Sequence, residues 1–131
     1  MKKLYIALFV ILLLGCKSSS KHMLTETNNR YLLTDNNSDK DYLIDYINKL
    51  EKDSIITDKP LLVIEGFAIS YDDLESHKLN LSKNEIKSID HLNKNSEGAI
   101  NIYGDKGKGG VLLIMSNRHS DYFGLDLKWL K

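Results

Sequence analysis

Residues 61–64 (Leu-Leu-Val-Ile) and 111–115 (Val-Leu-Leu-Ile-Met) are unbroken apolar runs, and each follows a helix-breaking residue, Pro60 or Gly110. Runs this short fall below the roughly ten residues of a packed helix, and without polar alternation they leave no face for solvent. Both read as strands buried on two sides. Glu65-Gly66 interrupts the first run and Phe67-Ala68-Ile69 resumes it, Gly66 marking a bulge, a turn or a close backbone approach. Ile86–Leu92 reads as a further strand with Ile89 and His91 on one face, His91 being the one histidine expected to be partly buried.

Helical signals fill the intervals. Leu43, Ile47 and Leu50, with Tyr46 beside them, recur at three and four residues and predict a helix from about Asp39 to Lys52. Ser38 or Asp39 is the expected cap, and Lys49 and Lys52 suit the negative end of its dipole. Ser70 with Asp73, and Ser82 with Glu85, match the reciprocal capping pattern and predict short helical turns. Ser96 starts a helix through Ala99, Ile100, Ile102 and Tyr103, which Gly104 ends in a left-handed cap. Gly107, Gly109 and Gly110 then make a tight loop over Tyr103 that feeds the strand at 111. Tyr31-Leu32-Leu33 either forms a short strand or docks on the core. The expected fold is α+β: a small, three- to four-stranded mixed sheet with short helices on one side, plus the helix at about Asp39 to Lys52.

The first sixteen residues carry a different message. Lys2 and Lys3 precede eleven apolar residues, Leu4 to Leu14, and Gly15 leads into Cys16. That layout is a secretory signal, too short for a permanent span of roughly 20 apolar residues. Cys16 is the only cysteine, so neither a disulfide nor a multi-thiolate zinc site is available. Leu13-Leu14-Gly15-Cys16 resembles the bacterial lipoprotein signal, and the resemblance implies cleavage before Cys16 and acylation of that residue. Several acyl chains on one residue would anchor it durably, since each buried methylene contributes about 0.8 kcal/mol. Residues 1–15 are then the signal, 16–38 a lipidated polar tether, and 39–131 one domain. Lys17-Ser18-Ser19-Ser20 lacks the acidic cluster that resembles surface-export signals, which favours the periplasmic side of an outer membrane.

Composition limits the partners. Lysine plus arginine and aspartate plus glutamate both total 18, and loss of Lys2 and Lys3 leaves a side-chain balance of −2. No basic block offers a nucleic-acid face. The 116 residues beyond the signal suffice for one core.

The segment from 60 to 116 resembles a known module. Pro60-Leu61-Leu62-Val63-Ile64-Glu65-Gly66, Ile86-Lys87-Ser88-Ile89 and Ala99-Ile100-Asn101-Ile102-Tyr103-Gly104 are followed by the glycine loop and Val111–Ile114. In that order they resemble the plug domain of TonB-dependent outer-membrane receptors, most closely the version common in Bacteroidetes. The resemblance implies a plug-like fold and marks Glu65, Gly66, Tyr103, Gly104, Gly107 and Gly110 as its motif residues. Glu65 stands where the family has aspartate, and His91 where it has an aliphatic residue. Only 15 residues follow Ser116, with no repeated alternating segments of about ten residues. The expectation is a plug-like interaction module on a lipid, associated with an outer-membrane receptor or another envelope protein, and not a transporter.

Signals for chemistry are sparse. His22, His77, His91 and His119 make no metal spacing with one another or with Cys16. No serine sits in a Gly-x-Ser-x-Gly elbow, and Asp72, Asp73 and Glu75 read as a solvated helix face. The expectation is no enzyme, cofactor or metal. An alternative uses amides of residues 104–110, near Lys106 and Lys108, to bind a small molecule or ion. The apolar tail, with Phe123, Leu125, Leu127, Trp129 and Leu130, is expected to join or cover the core. Its alternative is a partner or membrane-interface surface carried by Phe123 and Trp129.

Overall fold

The computed structural model describes residues 29–118 and 129–130. At their centre is one four-stranded sheet of β1 (Leu61–Ile64), β2 (Phe67–Ile69), β3 (Ile86–Leu92) and β4 (Val111–Ser116), in the order β2-β1-β4-β3. β1 and β4 run parallel in the middle, with Leu61 beside Val111 and Ile64 beside Ile114. The outer strands are antiparallel to their neighbours. All four β1 residues are buried, as their unbroken apolar character requires.

Among the described residues three helices accompany the sheet: α1 (Tyr42–Lys52), α2 (Asp73–Ser76) and α3 (Glu97–Tyr103). Strand alternation sorts the buried side chains into two cores. Leu62, Ile64, Leu112 and Ile114 join Leu43, Ile44, Ile47 and Leu50 of α1 in the larger one. Leu61, Val63 and Val111 join Ala99 in the smaller, with Tyr103 packed against it. The fold is therefore α+β with a mixed sheet.

The run that resumes at Phe67 does so in the opposite direction. Glu65 (φ 50°) and Gly66 (φ 86°) occupy successive positive-φ positions, and Phe67 lies opposite Ile64. Two such residues make a hairpin turn whose twist matches the strands it joins. Helix starts follow the capping logic with one change. Ahead of α1 the chain makes a tight 3-10 turn, Ser38–Asp41, capped by Asn37 and not by Ser38 or Asp39. Ser96 caps α3 through the amide of Ala99, and the Ser82–Glu85 box closes over Lys83–Glu85. Gly104 ends α3 at φ 63°, ψ −143°. That is an extended positive-φ conformation, almost exclusive to glycine, and not the left-handed helical cap.

Three expectations need correction. Tyr31 and Leu33 dock on the larger core, and the Tyr31 hydroxyl donates to the Pro60 carbonyl at 2.9 Å. The packed body therefore begins ahead of Asp39, and the latter part of the expected 16–38 tether belongs to it. Burial, then the neighbouring Tyr71, raises the Tyr31 hydroxyl far above its ordinary titration range. Trp129 is only 5% exposed within the larger core, so at this residue the tail covers the core as expected, and the alternative of a partner surface there is the reading that falls. The apolar core gains more from this indole than an exposed patch would. His91 is exposed, because β3 is an edge strand and α1 shelters Ile89 but not the position two residues on. Phe123, His22, His119, Cys16 and the signal lie outside the described residues.

Candidate functional site

The motif residues fall into two groups at opposite ends of the β1–β4 pair. Tyr103, Gly104, Gly107 and Gly110 lie where these strands begin, and Glu65 and Gly66 where they end. The structure does not bring the six together.

At the first end, the glycines allow close approach of backbone to backbone. A Cβ on Gly107 would collide with the Ala99 carbonyl, and one on Gly109 would sit 2.6 Å from Thr57 Oγ1. At Gly110, with φ 92°, it would sit 2.5 Å from Ile56 Cγ2. The segment before β1 clasps this loop: Thr57 N–H donates to the Gly109 carbonyl (2.8 Å) and Leu61 N–H to that of Gly110 (3.0 Å). Tyr103 lies half-buried beneath, as expected of an anchor.

This packing bears on the ligand alternative. Gly104 N–H donates to Ile100 of α3, and Lys108 N–H to Asp105 and Gly110 N–H to Gly107 within the loop, so three of the loop's amides are already committed. Lys108 is paired with Asp105 at 2.7 Å on the open surface. A hydrogen bond and the charge of Lys108 hold the Asp105 carboxyl below its ordinary range. The loop's own Asp105 carboxylate thus occupies Lys108, one of the two lysines on which the ligand alternative draws.

At the second end, Glu65 joins the hairpin to the finish of β4. Its amide donates to Ile114 (3.1 Å), and its carboxylate accepts from the amide of Ser116 (2.5 Å). The longer glutamate arm spans from the turn to the adjacent strand.

A clasp that local sequence patterns did not reveal lies just beyond. Arg118 Nε donates to Glu85 at 2.8 Å, its terminal nitrogen to the Asn80 carbonyl at 3.3 Å, and its guanidinium stacks 4.7 Å from the Trp129 ring. The amide of Asn80 donates in turn to the Trp129 carbonyl (2.6 Å). Glu85 was visible as a capping residue, but nothing nearby in sequence points to Arg118. Burial pushes the Glu85 carboxyl up, but hydrogen bonds from Arg118 and Ser82, with the Arg118 charge, bring it below its ordinary value. A carboxylate depressed in the folded state contributes stability above its unfolded pKa and loses it as pH falls through the folded one. Stability should therefore decline as pH drops below the ordinary glutamate range. Glu85→Gln should flatten part of that decline, read as urea midpoints across the acid limb. Asp73, lowered mainly by hydrogen bonds from Ser70, supplies a remaining part.

A groove of about 500 Å³ runs between residues 29–34 and 74–79, floored by Leu33, Leu74 and Leu79 and rimmed by Arg30, Glu75 and Lys78. Ser76 Oγ and His77 Nδ1 lie 3.1 Å apart there, but both side chains are exposed neighbours in sequence, and among the described residues no third group orients the imidazole. Among the described residues no three histidine, cysteine or acidic side chains gather as a metal site. No helix among them is long and apolar enough to cross a membrane.

No family model, curated protein or solved structure matches this chain.

Proposed function

We propose that this chain is a lipid-anchored, non-enzymatic envelope protein carrying a module similar to the plug of TonB-dependent receptors. It sits at the outer membrane, faces the periplasm, and associates with an outer-membrane receptor or a neighbouring envelope protein, in support of uptake. One observation carries the reading: Lys2-Lys3, eleven apolar residues and Gly15 deliver the sole cysteine to the position where a lipoprotein is cut and acylated. Support for the module comes from the order of motif residues between 60 and 116, with a hairpin at Glu65-Gly66 and a glycine loop feeding the last strand. Both motif ends serve folding, which leaves the surface as the working part.

Mass spectrometry of the membrane-extracted protein tests the anchor. The mature terminus should be Cys16 carrying acyl mass, and Cys16→Ser should release the protein from the membrane fraction. An unlipidated terminus elsewhere would end the reading. Crosslinking in intact cells tests the module: one dominant outer-membrane receptor or envelope partner should be captured by the wild type.

A further inference from the structure

Among the described residues, the outer edge of β3 is the longest stretch of sheet backbone without a strand beside it. Ile114 sends its carbonyl toward the Glu65 amide on the β1 side, so it faces away from β3. Its β3 partner Ile89 therefore turns its own N–H and C=O outward, and His91, two residues on, does the same. Such an edge templates another strand, above all an identical one. The opposite edge is protected by brevity, since β2 has three residues against seven in β3.

Two features obstruct the β3 edge. A register shift between Ile86 and Ser88 takes Lys87 out of even pairing and bends the strand's start. Tyr46 of α1 reaches over the edge and donates its hydroxyl to the Ile89 carbonyl at 3.4 Å. The bond is long for an O–H···O contact, but the hydroxyl stands where the amide of a fifth strand would have to stand. Burial, with Asp90 and then Tyr42 nearby, raises the Tyr46 titration range and keeps this donor protonated.

We propose that Tyr46 is an edge guard, whose hydroxyl and ring keep β3 from pairing with β3 of a second copy and so hold the protein monomeric. The inference does not depend on the anchor, although copies confined to one membrane would meet more often.

The test compares full-length wild type, Tyr46→Phe and Tyr46→Ala in detergent micelles. Association is followed by sedimentation, and exchange of the Ile89 and His91 amides by NMR. The wild type should be monomeric with both amides exchanging fast. Tyr46→Phe should tighten self-association by about tenfold and Tyr46→Ala by more, with both amides protected in the dimer. Natively folded variants that stay monomeric over the same concentrations would overturn the proposal. So would association that leaves the two amides unprotected. Should Tyr46→Ala fail to fold, Tyr46→Phe decides alone, because it retains the packed ring.

Discussion

Alanine in place of Gly110 should lower the unfolding free energy by about 3 kcal/mol, combining a forced positive φ with overpacking. The backbone there has φ 92°, and the added carbon would lie 2.5 Å from Ile56 Cγ2 and 2.9 Å from Ile56 Cβ. Ile56 is itself 1% exposed within the larger core, so it has little room to give way. The same change at Gly98 meets nothing within 4 Å and lies inside α3. Gly98→Ala should instead stabilise by about 0.5–1 kcal/mol, through helix propensity. Urea titrations of the pair would separate a packing requirement from a general dislike of alanine near the loop. Equal effects at both positions would refute the close-packing account.

Tyr31→Ala should cost about 3–5 kcal/mol, the range for removing a large buried ring. The side chain is fully buried between the larger core and Pro60, with Tyr71 6.0 Å away ring to ring. Tyr31→Phe keeps the ring and leaves the Pro60 carbonyl unpaired, so it should lose about 1–2 kcal/mol. Thermal melts of the two variants divide the residue's contribution into packing and hydrogen bond. A chain beginning at Asp39 should melt well below the full-length protein, because it lacks Tyr31 and Leu33. Equal melting of that truncation would show that the 29–34 segment is dispensable.

The two sheet ends also explain how a motif reads clearly in sequence without forming one site. Glu65-Gly66 and Gly104–Gly110 each impose a local backbone geometry, and each is recognisable because glycine permits what other residues resist. Their joint arrangement follows from β1 and β4 running parallel, which sends one group to the start of the pair and the other to its finish. Single residues near element ends were harder to place. His91 shares a face with half-buried Ile89, yet solvent reaches it at the edge of the sheet. Trp129 admits a surface as well as the expected core, and the neighbouring Arg118, Asn80 and Leu79 decide for the core.

Local pattern settled the identity of most elements: apolar runs between breakers became strands, and Ser82, Ser96 and the α1 stripe marked helical turns. Those features act within a few residues of chain, where steric and capping preferences operate directly. Strand order and the clasp of Arg118 on Glu85 and Trp129 came from contacts between residues apart in sequence. Glu65 meets Ser116 across 51 positions, and Tyr31 meets Pro60 across 29. No short window contains both partners of such a pair. They find each other through shape and hydrogen bonding, once burial of the apolar faces has brought the chain together.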